Sequence, residues 1–207
     1  MINLIHGDCM EYMATLKDNE FDLAVVDPPY GINVNVSIGR RKGENPSQYK
    51  KFAGGDKQSP PIEYFEELIR VSKNQIIWGA NHFISKMAWD SKSWIVWDKK
   101  FSNDMSFASC ELAWTSFDKT IKKYTQSTQN PKRIHPTQKP IELYQWIFDN
   151  YAQKGWRILD THLGSGSSAI AAHDSGLDFV GIELDGDYFQ AAKDRLERHQ
   201  LQLQLPW

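Results

Sequence analysis

Short apolar runs and helical stripes alternate along this chain, and their order predicts its fold. Seven apolar runs have the length and composition of buried strands. They cover residues 2–5, 21–26, 75–78, 94–97, 111–115, 157–159 and 179–182. Helical patterns separate most of these runs, and strands that alternate with helices predict an α/β fold. We expect a mostly parallel, seven-stranded sheet in a single domain over residues 1–207.

Two long polar stretches interrupt this alternation, at residues 31–59 and 120–134. Loops of such length within one domain are usually functional. Each carries a basic cluster, on a chain whose net charge is only −2. This distribution suits a polyanion held at one face, although two solvated loops explain it equally well. The candidate contacts are Arg40, Arg41, Lys42, Lys122, Lys123, Lys132 and Arg133.

The composition is that of an ordinary globular protein, with 41% hydrophobic and 24% charged residues. No apolar run is long enough to span a bilayer, and the first residues lack a signal-peptide pattern. Two cysteines, Cys9 and Cys110, suit a reducing compartment. The six histidines do not pair at metal-ligand spacing. We therefore expect a cytoplasmic protein without a metal site.

A carboxylate stands where four of the predicted strands end: Asp8, Asp27, Asp160 and Glu183. Ligands of open α/β sheets bind outside the carboxyl ends of the strands. We therefore expect these four side chains to converge on one crevice.

Asp27, Pro28, Pro29 and Tyr30 directly follow one of these strands. The exocyclic amine of a nucleobase is a poor nucleophile, because its lone pair is delocalised into the ring. The Asp27 carboxylate and the Pro28 carbonyl can accept hydrogen bonds from such an amine and free that lone pair. The prolines stiffen the turn, and Tyr30 offers a face to a planar base. A capped proline turn with a core tyrosine is the competing interpretation.

A strand, a glycine turn and a helix follow one another over residues 158–168. Gly164 and Gly166 allow close approach of the backbone to a ligand, and the helix N-terminus favours negative charge. Glu183, about twenty residues further on, is placed to accept hydrogen bonds from ribose hydroxyls. The spacing fits a nucleoside cofactor of either the nicotinamide or the S-adenosylmethionine kind.

A third motif, His-Pro-Thr-Gln-Lys-Pro at residues 135–140, precedes a predicted helix. The ammonium of Lys139 or the hydroxyl of Thr137 could hold a cofactor carboxylate. A proline-framed helix start is the alternative interpretation.

Together these motifs resemble those of the amino-methyltransferase family that modifies adenine N6 or cytosine N4 in DNA. In that family D-P-P-Y is the catalytic motif, D-x-x-x-G-S-G is the cofactor loop and H-P-T-Q-K-P is a second cofactor element. Here the catalytic motif precedes the cofactor loop, as in the family's β group. The resemblance implies a circularly permuted, Rossmann-like methyltransferase domain, with a catalytic half at residues 1–115 and a cofactor half at residues 135–207.

The resemblance also implies the ligands and the residues that hold them. The cofactor is S-adenosylmethionine. The partner is double-stranded DNA, contacted by the loops at residues 31–59 and 116–134; no membrane is implied, and a homodimer stays open. The catalytic residues are Asp27, Pro28, Pro29 and Tyr30. Those implied in cofactor binding are Asp8, Cys9, Asp27, His135, Thr137, Lys139, Asp160, His162, Gly164, Ser165, Gly166, Glu183 and Leu184.

One departure from the family pattern concerns the residues after Asp160. Family members often carry Pro-Phe there, whereas this chain has Thr161 and His162, like small phage or prophage enzymes. The segment between residue 115 and residue 135 is also short. We therefore expect the protein to recognise a short target sequence, or to recognise its target sequence weakly.

Several functions remain open at this point. Asp27 favours adenine N6 methylation, because cytosine N4 enzymes of the family more often carry Ser there. A nicotinamide oxidoreductase shares the fold and the glycine loop but gives no reason for the D-P-P-Y turn. A nucleic-acid-binding module without catalysis would not need intact motifs. The expected function is site-specific adenine methylation of DNA, with cytosine N4 as the alternative.

Overall fold

The computed structural model describes residues 1–32, 56–87, 89–100, 108–127, 134 and 137–202. Five helices lie in these ranges: α1 (Cys9–Ala14), α2 (Ile62–Val71), α3 (Ile141–Tyr151), α4 (Ser167–Asp174) and α5 (Gly186–Gln202). Two short 3₁₀ turns lie at Ala80–His82 and Ile84–Lys86. None of the helices in the described ranges is long and apolar enough to cross a bilayer.

Eight strands within the described ranges form a single mixed sheet. They are β1 (Ile2–His6), β2 (Leu23–Val26), β3 (Gln75–Trp78), β4 (Trp94–Asp98), β5 (Cys110–Thr115), β6 (Lys122–Thr125), β7 (Arg157–Asp160) and β8 (Asp178–Glu183). Their order across the sheet is β1-β8-β7-β2-β3-β5-β4-β6. Neighbouring strands are parallel except that β5 is antiparallel to both β3 and β4. The expected α/β fold with a mostly parallel sheet is confirmed.

The expected number of seven strands is wrong. The additional strand, β6, lies within the stretch predicted to be a polar loop, and it pairs in parallel with β4. Its sequence Lys-Lys-Tyr-Thr lacks an apolar run, because an edge strand buries only one side. Tyr124 supplies that side, with its ring centroid 5.3 Å from that of Trp146 on α3.

Two apolar cores lie on opposite faces of the sheet. Helices α3, α4 and α5 cover one face, and α1, α2 and the 3₁₀ turns cover the other. Every residue of the central strands β2 and β3 is buried, which explains why all of them except Gln75 are apolar. On α2 the buried stripe is Tyr64, Phe65, Leu68 and Val71.

The first strand of the chain pairs with the last. Ile5 lies beside Ile182, and His6 beside Glu183, in the parallel pairing of β1 with β8. Strands β8 and β7 lie between β1 and β2 in the sheet, so the N-terminal and C-terminal parts of the chain pair twice, at β1–β8 and at β7–β2. The carboxyl ends of β1, β8, β7 and β2 therefore share one edge, as the permuted order requires.

Candidate active site

A cavity of about 1130 Å³ lies at the carboxyl edge of the parallel strands. Its wall includes Asp8 after β1, Asp27 after β2 and Glu183 at the end of β8. Asp160, at the end of β7, is only 1% exposed and is not part of this wall. Three of the four predicted strand-end carboxylates thus face the cavity. The fourth, Asp160, instead accepts a hydrogen bond from the backbone of the wall residue His162.

The turn after β2 folds Tyr30 back onto Asp27. The Tyr30 hydroxyl donates a hydrogen bond of 2.7 Å to Oδ1 of Asp27. Gly79 has a φ of 68°, and a Cβ atom there would lie 2.1 Å from Cε1 of the tyrosine ring. The His82 imidazole stacks on the same ring, with centroids 5.0 Å apart and planes 16° apart. Glycine and imidazole together therefore fix the orientation of the ring.

Lys139 lies between two carboxylates of this site. Its Nζ atom is 2.5 Å from Oδ2 of Asp27 and 3.1 Å from Oε2 of Glu111. Lys99 forms an ion pair with the other oxygen of Glu111. Lys139 is only 4% exposed, and the ion pairs compensate for the loss of water around its charge. The four groups form a charge cluster with two positive and two negative members.

The members of this charge cluster differ in how firmly they hold their charge. Burial raises the pKa of Asp27, and the nearby Lys139 opposes this only in part. Burial also acts to raise the pKa of Glu111, but Lys139 and Lys99 outweigh it and bring that pKa to about 2. The two carboxylates outweigh burial at Lys139 and raise its pKa. Asp27 is therefore the carboxylate of the charge cluster that is protonated most easily.

Gly164 and Ser165, in the glycine turn between β7 and α4, line the other side of the cavity, whereas the predicted cofactor residue Gly166 packs against Ala192 and is not part of the wall. Gly164 and Gly166 have φ values of 53° and 74°, which favour glycine. Oε2 of Glu183 accepts a 2.7 Å hydrogen bond from the Gly164 amide, and Oε1 accepts one of 2.9 Å from the Asp185 amide. The carboxylate of Glu183 is thereby held at the cavity wall in a fixed orientation.

Asp160 supports this turn from below. Its Oδ2 accepts a 2.5 Å hydrogen bond from the Ser168 hydroxyl, and its Oδ1 accepts one of 3.0 Å from the His162 amide. Burial raises the pKa of Asp160 to about 7 and lowers that of His162 to about 4. Nδ1 of His162 lies 2.9 Å from the Thr161 hydroxyl, which lies 2.6 Å from the Tyr64 hydroxyl.

The remaining predicted cofactor residues surround the cavity at different depths. Asp8 caps α1 by accepting hydrogen bonds from the amides of Met10 and Glu11, at 2.7 and 3.2 Å. Burial, followed by the Asp8 charge, raises the pKa of the Cys9 thiol to about 12, so this thiol is a poor nucleophile. Ser165, Thr137 and the exposed Leu184 also line the cavity.

Some predicted residues do not lie at the cavity, and others are outside the described ranges. Nζ of Lys122 lies 3.0 Å from Oδ1 of Asn150, and Nζ of Lys123 lies 3.0 Å from Oδ2 of Asp98. Both lysines thus have protein partners on β4 or α3. The candidates outside the described ranges are Arg40, Arg41, Lys42, Lys132, Arg133 and His135.

Glu111, Lys99, Gly79 and His82 are site residues that sequence reasoning missed. Glu111 is the second residue of β5, and it reaches the cavity because β5 runs antiparallel to its neighbours. The sequence prediction considered only carboxylates at the carboxyl ends of strands. Glu111 lies near the beginning of an antiparallel strand, so that criterion does not select it. The Gly79-Ala80-Asn81-His82 segment directly after β3 is a signal that could have been read.

Comparison with known proteins agrees with this geometry. The family model for N6 and N4 methyltransferases, described as DNA methylase, matches residues 92–194. The chain belongs to the DNA amino-methyltransferase family. Members of this family transfer a methyl group to DNA, and their cofactor is S-adenosylmethionine.

Relatives of this DNA amino-methyltransferase match along nearly their whole length. It is 24% identical to the type II methyltransferase M2.MboI of Moraxella bovis, over 93% of this chain and 86% of that protein. It is also 24% identical to the type II methyltransferase M2.DpnII of Streptococcus pneumoniae, over 94% of this chain and 89% of that protein. Both matches cover more than nine tenths of this chain.

Solved structures share the fold of this methyltransferase. The M1.HpyAVI complex with S-adenosylmethionine superposes with a TM-score of 0.63 at 22% identity, covering 94% of this chain and all of that one. The cytosine-N4-specific PvuII DNA methyltransferase also reaches a TM-score of 0.63, at 10% identity, over 96% of this chain and 90% of that one. At these identities the likeness establishes the architecture alone.

Proposed function

We propose that this DNA methyltransferase transfers the methyl group to N6 of adenine in double-stranded DNA. The observation that carries the proposal is the Asp27 carboxylate, fixed at the cavity by Tyr30 and Lys139. A carboxylate accepts hydrogen bonds at up to four lone-pair positions, so two partners leave capacity for an incoming amine. Asp27 and the Pro28 carbonyl accept from the two N–H groups of the target amine.

The target base leaves the DNA stack and rests against Tyr30. Base stacking on an aromatic ring contributes about 1–3 kcal/mol, which offsets part of the cost of unstacking. His82 stacks on Tyr30 in the structure and is itself exposed, so its imidazole can give way to the base. In this pose the amine nitrogen faces Asp27, and its lone pair faces the cofactor side of the cavity.

The residues on the cofactor side fit S-adenosylmethionine. The cavity of about 1130 Å³ exceeds the range of about 300–1,000 Å³ typical of single small ligands, which leaves room for a cofactor and a base together. Glu183 presents an oriented carboxylate to ribose hydroxyls, and Asp8 presents one to the adenine amine. When bound, the cofactor supplies an electrophilic methyl group.

Asp27 acts by orientation and electrostatics during methyl transfer. Its hydrogen bond pulls the amine toward tetrahedral geometry, and its charge stabilises the positive charge that develops on nitrogen. One amine proton leaves toward the Asp27 carboxylate once the new C–N bond forms. Burial raises the pKa of Asp27, which suits a group that receives this proton. The Cys9 thiol, with its pKa near 12, takes no part.

Cytosine N4 is the second candidate target, because its exocyclic amine offers the same two N–H donors. Asp27 favours adenine, since family enzymes that act on cytosine more often carry Ser at this position. Purified enzyme should be incubated with unmethylated DNA and radiolabelled S-adenosylmethionine, and the digested nucleosides then separated. N6-methyladenine is the expected product. N4-methylcytosine would refute the target, and labelled protein or RNA alone would refute DNA methylation.

An Asp27→Ala variant tests the mechanism. It should lose turnover by on the order of a thousandfold, because the acceptor of the target amine is gone, while cofactor binding by calorimetry persists. The matched control is Asp22→Ala, since Asp22 is ion-paired with Lys73 and lies outside the cavity wall. Wild-type turnover in Asp27→Ala would mean that another group accepts from the amine.

A further inference from the structure

Glu111 is linked to Asp27 through the ammonium of Lys139 and, more weakly, through the Tyr30 hydroxyl, whose oxygen lies 3.4 Å from Oε2 of Glu111 and 2.7 Å from Oδ1 of Asp27. Of these two links, the ion pair with Lys139 lets Glu111 help to fix where the ammonium lies. A lysine ammonium has three N–H donors. Nζ of Lys139 lies 2.5 Å from Oδ2 of Asp27, 3.1 Å from Oε2 of Glu111 and 3.2 Å from the Tyr30 hydroxyl oxygen. Three acceptors for three donors specify the position of the ammonium completely.

Lys99 anchors Glu111 from the opposite side. It forms an ion pair with Oε1, while Lys139 holds Oε2, so both carboxylate oxygens are fixed by cations. The side chains of Lys99 and Glu111 are 13% and 21% exposed, which limits screening by water. Glu111 therefore stays ionised and keeps a constant negative charge beside the ammonium.

This arrangement decides how strongly Asp27 can accept a hydrogen bond. An ammonium paired with Asp27 alone would hold the carboxylate ionised but would weaken it as an acceptor. No ammonium at all would leave the carboxylate buried without a counter-charge, and it would then tend to be protonated. Sharing the ammonium with Glu111 gives the intermediate state, in which Asp27 is ionised and still a strong acceptor.

We propose that Glu111 is a positioning residue for methyl transfer, which acts on Asp27 by drawing part of the Lys139 charge away from it. The inference rests on the proposed role of Asp27 and deepens it. Glu111 makes no contact with the substrate in this scheme. Its effect is on the proton affinity and acceptor strength of Asp27.

The other charged or titratable groups that face Asp27 do not explain this effect. They are Tyr30 on its own turn, Tyr64 from α2, Tyr144 from α3 and Asp160 from β7. Burial raises the pKa of all three tyrosines well above the ordinary value, so they remain neutral. Asp160 titrates with a pKa of about 7, so its contribution must be separated by a variant.

The test is the pH dependence of the single-turnover rate of methyl transfer, at saturating DNA and S-adenosylmethionine. Glu111→Gln removes a negative charge near Asp27, so the acid limb of the profile should move to lower pH. Its plateau rate should fall by about one to two orders of magnitude, because the ammonium then acts on Asp27 alone. Lys139→Met should move the acid limb in the opposite direction, and Glu111→Asp should restore part of the rate.

Controls separate this inference from the proposed function. Asp160→Asn should leave the shift caused by Glu111→Gln intact, which assigns the acid limb to Asp27. Unchanged rate and profile in Glu111→Gln, or a shift in the same direction as Lys139→Met, would overturn the inference while an inactive Asp27→Ala still upheld the proposed function. An active Asp27→Ala would overturn both.

A further variant covers the case in which Glu111→Gln does not fold, judged by circular dichroism and cofactor binding. Lys99→Met removes a cation from the cavity edge and leaves Glu111 wholly to Lys139. The positive charge near Asp27 decreases, so the acid limb should move to higher pH, by less than in Lys139→Met. A Lys99→Met profile equal to that of wild type would overturn the inference.

Discussion

The fit between Gly79 and Tyr30 makes a Gly79→Ala variant a sensitive probe of the site. Gly79 has a φ of 68°, and its backbone packs against the tyrosine ring so closely that an added Cβ would lie 2.1–2.5 Å from three ring atoms. Those atoms belong to the rigid ring, which is held by Asp27 at its hydroxyl and by His82 at its face. The ring must therefore move if the methyl group is to fit.

The expected loss of stability in Gly79→Ala is the sum of two contributions. A non-glycine residue in the left-handed region costs about 1–2 kcal/mol. Overpacking against a fixed ring adds about 1–3 kcal/mol. We expect the free energy of unfolding to fall by about 2–5 kcal/mol in total. Displacement of Tyr30 should also separate its hydroxyl from Asp27, and turnover should fall by at least about tenfold while cofactor binding persists.

Gly176 provides a matched control, because its φ is 65° but nothing lies within 4 Å of a Cβ added there. Gly176→Ala therefore carries the backbone strain without the clash. Urea unfolding of both variants measures the stability difference, and steady-state methylation of DNA measures turnover. Equal destabilisation of the two variants, with normal turnover in Gly79→Ala, would refute the argument that Gly79 exists to accommodate Tyr30.

Three further predictions concern the rest of the site and the basic loop. His162→Phe should retain cofactor affinity within about tenfold by calorimetry, because the ring forms a wall; lost turnover at normal affinity would reveal a chemical role. For Asp160 the folded-state pKa of about 7 exceeds the ordinary value, so its stabilising contribution is full below about pH 4 and is lost as pH rises through 7. Urea unfolding of Asp160→Asn from pH 4 to 7 should lack this loss, and a slope like that of wild type would contradict it. Neutralising the basic side chains between residues 122 and 133 should reduce the log–log salt slope of DNA binding by about 0.9 per lost phosphate contact, whereas an unchanged slope would exclude phosphate contacts. The residues changed in that experiment are Lys122, Lys123, Lys132 and Arg133.

The sequence predicts the parts of the site that follow from the direction of the strands. Asp8, Asp27 and Glu183 each stand where a parallel strand ends, and parallel strands bring their carboxyl ends to one edge. Their convergence therefore follows from the pattern of apolar runs and carboxylates alone. The sequence also predicts the glycine turn, since close approach of the backbone to a ligand and left-handed φ values both favour glycine.

Other parts could not be read in this way. Whether β5 runs parallel or antiparallel depends on long-range pairing, and this direction alone brings Glu111 to the cavity. Strand β6 has a polar sequence because it is a half-buried edge strand, and only its pairing with β4 and the contact of Tyr124 with Trp146 identify it as a strand. The prediction that Lys139 binds a cofactor carboxylate stays a prediction; the structure gives this ammonium two carboxylates of the chain itself.

The pairing of the first strand with the last has a consequence for synthesis. Strand β1 occupies an edge of the sheet, with β8 as its neighbour among the described strands, and Ile2 is paired with Phe179. A ribosome must therefore synthesise the chain through β8, which ends at Glu183, before β1 can pair with it. Asp8 and Glu183 come together only at that stage, so a nascent chain cannot assemble this part of the cavity early. Contacts so distant in sequence form slowly, so we expect the pairing of β1 with β8 to be a late folding step. A cofactor that binds between Asp8 and Glu183 would then stabilise the paired state.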